Sequence, residues 1–173
     1  MNGDGKFFGK YRGTCVNNVD PQQMGRIQAI VPDVSSLSLT SWALPCLPYG
    51  GVNTGLFAVP AIGAGVWIEF EQGDPDYPIW VGTYWGSAAE VPKLAQTAPA
   101  PVPSITLQTP AKNGVVISDA VGPSGLGGIT LQSATGATIM VNDLGITISN
   151  GKGAQITLLG KTVDINIGGL TII

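Results

Sequence analysis

Histidine is absent from the 173 residues, and this limits the chemistry more than any residue that is present. Without an imidazole, neither a Ser-His-Asp nor a Cys-His nucleophile can be assembled, and the commonest zinc ligand is missing. Cys15 and Cys46 are the only cysteines. Two cysteines make no disulfide framework, so two reduced, packed thiols are expected. A Ca²⁺ site needs clustered oxygen ligands. The closest aspartates, Asp74 and Asp76, lie in Gly73-Asp74-Pro75-Asp76, where Gly and Pro beside Asp read as a polar turn. Asp119, Asp143 and Asp164 stand apart from one another, and no glutamate follows Glu90. Paired carboxylates for polysaccharide cleavage are therefore not expected. Trp67, Trp80 and Trp85 could stack on bases or sugars, with barrel core or a subunit contact as the plainer reading. The sequence predicts no catalytic residue, no cofactor and no metal.

Charge and hydropathy point away from two further classes. The formal net charge is −3, and the eight Lys and Arg are scattered singly. A nucleic-acid partner, which would call for a basic patch, is not expected. Only 11% of residues are charged, and mean hydropathy is +0.28. This apolar surplus belongs either to a membrane span or to an oligomer interface. The best span candidate, 55–68, is interrupted by Pro60, Gly63 and Gly65, well short of the roughly 18 apolar residues required. The opening Met1-Asn2-Gly3-Asp4-Gly5 has no apolar h-region, so cytoplasmic assembly without a secretory leader is expected. The surplus is assigned to an oligomer interface.

Three regions follow along the chain. Residues 1–86 carry short extended segments at 8–16, 25–31, 42–47, 56–59, 65–70 and 78–84, separated by Gly and Pro turns. No window sustains an i, i+3, i+4 apolar pattern, so an all-β barrel is expected. Residues 87–104 hold Pro92, Pro99, Pro101 and Pro103 and read as a semi-rigid spacer. Residues 105–173 turn to strict period two. Ile105 and Leu107, Val116, Ile129 and Leu131, Ile139 and Val141, Ile146 and Ile148, Ile156 and Leu158, and Val163, Ile165 and Ile167 alternate with Thr, Ser, Gln, Asp and Asn. First apolar positions fall at 129, 139, 146, 156, 163 and 170, one strand plus a turn at each step, as in β-solenoids.

Period two places all the aliphatic side chains on one face of each strand. That strip has no aromatic residue and no helix to cover it. The eleven residues Ile129, Leu131, Ile139, Val141, Ile146, Ile148, Ile156, Leu158, Val163, Ile165 and Ile167 form the expected core. Their full burial would contribute roughly 20–30 kcal/mol per chain as an upper bound, but only if something covers them. The simplest cover is the same strip on two identical chains, closing a prism with a dry interior and no exposed edges. A strip within an ordinary β-sandwich and a single-chain solenoid are the alternatives.

The stretch Tyr11-Arg12-Gly13-Thr14-Cys15-Val16-Asn17-Asn18-Val19-Asp20-Pro21, with Met24-Gly25-Arg26-Ile27 and Trp42-Ala43-Leu44-Pro45-Cys46 after it, resembles the opening of phage baseplate assembly protein V. So does Ile62-Gly63-Ala64-Gly65-Val66-Trp67-Ile68-Glu69-Phe70, continued by Gly73-Asp74-Pro75-Asp76-Tyr77-Pro78-Ile79-Trp80-Val81-Gly82. The resemblance implies an N-terminal OB-fold and a C-terminal intertwined three-chain β-helix. It implies a homotrimeric central spike of a contractile injection system (phage tail, tailocin or type VI secretion), seated under a trimeric hub and puncturing the target envelope. The alternative is a phage-tail binding module for a cell-surface glycan. Relatives with an inserted lysozyme domain or a His-x-His metal apex differ from this chain, which has no room at 87–104 and no histidine. The end, Leu170-Thr171-Ile172-Ile173, is expected to be blunt, with Leu170, Ile172 and Ile173 receiving a separate PAAR-like tip protein.

Overall fold

The structure, a computed structural model, describes residues 5–96, 102–120 and 127–172. Its backbone contacts divide the chain into Met1–Glu90 and Val91–Ile173, and the two units are taken in turn.

The first unit is a five-stranded OB barrel. Its strands are β1 (Tyr11–Asn17), β2 (Gln28–Ile30), β3 (Leu44–Pro45), β6 (Gly65–Phe70) and β7 (Pro78–Tyr84), in the order β2-β1-β6-β7-β3. β3 lies parallel to β7, and bridges Ile27–Ala43 and Ile30–Leu39 link its approach to β2, closing the ring. Alternation explains the strands. In β6, Val66, Ile68 and Phe70 are buried while Trp67 and Glu69 face out. Cys15, Ile27, Ala29, Val31, Ala43 and Trp80 complete the core. A register shift opposite Trp67–Ile68 leaves Val81 without a partner in β7. Trp80 points inward by alternation with Pro78, and the bulge shifts the pairing beyond it, setting Thr83 opposite Val66, as an extra residue in a strand re-aims its neighbours.

A single helical turn, Pro32–Ser35, follows β2 with proline in its first turn, a position where proline's fixed φ favours a helix. One expectation changes here. The apolar run 56–59 is not a strand. Instead Gly50–Gly51 (β4) pairs with Thr54–Gly55 (β5) as a short hairpin, and Val59 packs against the core. A four-residue apolar run carries no periodicity that separates strand from packed coil.

The second unit is one eight-stranded sheet in strict sequence order. β8 (Ser104–Gln108), β9 (Gly114–Ser118), β10 (Gly128–Gln132), β11 (Thr138–Asn142), β12 (Gly145–Ser149), β13 (Gln155–Leu159), β14 (Thr162–Ile165) and β15 (Leu170–Ile172) pair antiparallel with their neighbours. Eight strands at about 4.8 Å spacing stack to roughly 34 Å. A short 3₁₀ turn, Lys93–Gln96, packs on β8 and β9, where the Leu94 N–H donates to Gln108 Oε1 at 3.0 Å. Part of the expected spacer thus belongs to the sheet. Pro99 and Pro101 lie outside the described residues.

Candidate functional site

Cross-strand register assembles the alternating residues into two continuous columns. Ile105, Ile117, Ile129, Val141, Ile146, Leu158, Val163 and Ile172 succeed one another directly across the eight strands. Leu107, Val115, Leu131, Ile139, Ile148, Ile156, Ile165 and Leu170 form the second column beside them. Every member is aliphatic. In the single chain this face meets solvent: Ile129 is 46% exposed, Ile148 42% and Leu158 37%. An apolar surface this long and continuous marks an interface. Between the columns, on the opposite face, stand Thr106, Val116, Thr130, Met140, Thr147, Thr157 and Asp164.

Ten of the eleven expected core residues fall in the columns; Ile167 does not. The 163, 165, 167 spacing predicts one strand, but β14 ends at Ile165. The Asp164 carboxylate accepts the Gly168 N–H at 3.0 Å, and Asn166 exchanges bonds with Gln155 through N–H to O at 2.9 Å and Oδ1 from N–H at 3.0 Å. Asp, Asn and two glycines are turn chemistry and override the alternation. Ile167 is left in the turn at φ +51 and 80% exposed. Val116 also departs from expectation, pairing with Thr106 and Thr130 on the other face. In Gly-Val-Val-Ile-Ser both faces are apolar, so alternation could not choose; Val115 and Ile117 are the column members. Leu170 and Ile172 end the columns, 53% and 56% exposed. Ile173 lies outside the described residues.

The uneven spacing of the ladder becomes a hairpin repeat. The ten-residue steps are five-residue loops on one edge, closed by Ser133 N–H to Ala137 O at 2.9 Å and Asn150 N–H to Ala154 O at 3.1 Å. The seven-residue steps within β11–β12 and β13–β14 are two-residue turns on the other edge, at Asp143–Leu144 and Gly160–Lys161. Two glycines open strands where backbones crowd. A Cβ on Gly145 would sit 2.0 Å from the Leu158 carbonyl oxygen, and one on Gly128 2.1 Å from that of Val141.

The barrel also has a charged clamp that residue spacing did not reveal. In the loop after β1, Asp20 accepts from the backbone N–H groups of Gln22, Met24 and Arg26. It also accepts from Arg26 Nη2 at 2.7 Å and Nε at 3.1 Å. The Arg26 guanidinium holds the Asp20 carboxyl far below the usual carboxylate range; burial opposes this, and the three N–H groups reinforce it. The folded form therefore binds fewer protons than the unfolded chain, whose aspartates titrate near about 3.9. The clamp's stabilisation is complete above that value and is lost as pH falls toward the folded one. Asp20→Asn is expected to melt at a lower temperature than wild type at pH 7, and the gap should narrow at pH 3. Thermal melts at both pH values check this; an equal gap at both would refute the assignment. An Asp followed six residues later by Arg around a Pro-containing loop was the available signal.

The tryptophans do not form one platform. Trp80 is 7% exposed and donates Nε1–H to Gly25 O at 3.0 Å. Trp67 faces outward beside Tyr84, with ring centroids 5.0 Å apart, and the Arg12 guanidinium lies over both rings. Trp85 is exposed separately. A stacking surface for bases or sugars would need these rings side by side and uncovered. Asp74 sits in a turn, accepting from Asp76 N–H and Lys6 Nζ, each at 3.1 Å. Both cysteines are free thiols, but only Cys15 is packed and Cys46 is exposed, against the expectation of two packed thiols; burial pushes the Cys15 thiol up. No helix among the described residues is long and apolar enough to cross a membrane.

An OB barrel followed by a sheet whose aliphatic face is left uncovered defines a protein built to assemble with copies of itself. Comparison with protein families gives that class its place. Residues 11–85 match the type VI secretion system/phage-baseplate injector OB domain, and residues 104–171 match the phage baseplate V C-terminal trimerisation domain. The chain belongs to this phage baseplate V spike family. A search of curated proteins found no match.

Proposed function

We propose that three copies close their aliphatic faces on a common threefold axis and form the needle of a central spike in a contractile injection system. The observation that carries this reading is the pair of unbroken aliphatic columns, left solvent-facing within a domain matched to a trimerisation family. Closure buries Ile129, Leu131, Ile139, Val141, Ile146, Ile148, Ile156, Leu158, Val163 and Ile165 and covers strand faces that would otherwise aggregate. A needle must carry axial load without a chain peeling away. Antiparallel pairing stiffens each chain, because every strand from β9 to β14 is held by both neighbours along the stack, and the shared aliphatic interior holds the three chains to one another.

The barrel, 1–86, serves as the adaptor to a trimeric baseplate hub. The needle plugs the tube end and enters the target envelope when the sheath contracts. The last strand, β15, presents the exposed aliphatic residues Leu170 and Ile172, a surface that suits a separate PAAR-like tip protein. The purified chain should have a light-scattering mass of three times 17.7 kDa, and it should co-purify with the PAAR-like protein of its own particle. Replacing Leu170 and Ile172 by serine should abolish that co-purification while leaving the mass unchanged. A monomer would overturn the needle, and a trimer indifferent to the tip protein would overturn the cap.

A further inference from the structure

No charged residue occurs between Asp33 and Glu69. In a barrel that holds ion pairs such as Lys6–Asp74 and Lys10–Glu69 elsewhere, so long a gap requires a reason. The middle of this stretch, 46–58, leaves the barrel as an arm around the β4–β5 hairpin. The arm has exposed large apolar residues: Tyr49 at 62%, Val52 at 93%, Leu56 at 52% and Phe57 at 69%. The hairpin has only two paired positions, Gly50–Gly55 and Gly51–Thr54, helped by Thr54 Oγ1 to Tyr49 Oη at 2.9 Å. A two-stranded ribbon this short is marginal unless it packs on something. At the arm's base lies an open apolar groove lined by Leu47, Pro48, Leu56, Val59, Trp80 and Val81.

We infer that the arm of one protomer docks in the groove at the base of the next protomer's arm, closing a ring of three barrels. The occupant is a second copy for three reasons. First, the C-terminal domain is a trimerisation domain, so three barrels are tethered on one assembly at effective concentrations in the millimolar range. Weak apolar surfaces under those conditions meet each other before any free partner. Second, one barrel carries both a protruding apolar tip and a receiving apolar groove, the pairing that a head-to-tail contact needs to close a ring. Third, the complete lack of charge fits the buried core of a permanent homomeric contact, where charged residues are depleted and tyrosine and phenylalanine enriched. The arm contact is thus an extension of the trimer interface proposed for the needle, and it rests on that trimer.

Position 52 tests it without disturbing the fold, since Val52 is almost fully solvated in the single chain. A photo-crosslinking side chain placed there in the full-length protein, irradiated at high dilution with no other protein present, should give covalent dimers and trimers on denaturing gels. Peptide mapping should place the links at the groove residues, Leu47, Pro48, Leu56, Val59, Trp80 or Val81, and not at the arm's own tip, 49–55. Links within the same chain only, links to the needle, or no links at all would overturn the inference and leave the arm open for the hub. Light-scattering mass on the same sample separates this from failure of the trimer. A second variant, Val52→Asp, should keep the trimeric mass while amide exchange across 47–57 accelerates about tenfold. Unchanged exchange would equally overturn the inference.

Discussion

Ile148→Asp should convert the protein from a trimer to a monomer, read as a fall in light-scattering mass from three times 17.7 kDa to one. Ile148 occupies the middle of the second column, between Ile139 and Ile156. In the closed needle, three such positions would meet around the axis at one level. Three carboxylates would then share a dry interior with no cation to pair them. The effective cost of burying an unpaired ion is several kcal/mol each, and like charges at close range add to it. Protonation would relieve the repulsion but would still leave unsatisfied polar groups. The control is Thr147→Asp, one residue away on the opposite face, between Met140 and Thr157. It adds the same charge to the same strand and should leave the mass trimeric. If both variants stay trimeric, the aliphatic face is not the interface. If both become monomeric, charge on the strand matters and the face does not.

The next largest effect is expected at Gly145. Gly145→Ala places a Cβ 2.0 Å from the Leu158 carbonyl oxygen and 2.9 Å from Leu159 Cδ2. Backbone cannot yield that distance without parting β12 from β13. The Ile146–Leu158 and Ile148–Ile156 pairs would then lose register, and both columns would break at their centre. Circular dichroism should show loss of cooperative β-structure in the needle, with trimeric mass lost as well. Gly136→Ala provides the comparison. Gly136 also has a positive φ of +90, but its added Cβ would meet nothing within 4 Å. It should cost only the backbone strain, roughly 1–2 kcal/mol, and keep the trimer. If the two variants behave alike, the close approach at Gly145 is not what requires glycine there.

Alternation makes most of the C-terminal sheet legible in the sequence. A side chain's face follows from its parity along a strand, and the 129, 139, 146, 156, 163 ladder states that parity directly. The barrel's strands are legible for the same reason in β6 and less so elsewhere. The run at 56–59 and the 114–118 segment mislead because a short apolar run, or one apolar on both faces, carries no parity. Ile167 misleads because side-chain bonds of Asp164 and Asn166 outweigh the pattern.

Residue type and local spacing are enough to settle three properties: an all-β chain, a histidine-free chemistry, and an aliphatic face that one chain leaves uncovered. The remainder depends on distances between remote residues and emerges only from the folded chain. Those distances set the register that joins separate alternations into two columns. They set the crowding at Gly145 and Gly128 and the exposure of the uncharged arm. No local pattern encodes which strand lies beside which, and those neighbours turn alternating isoleucines into an interface.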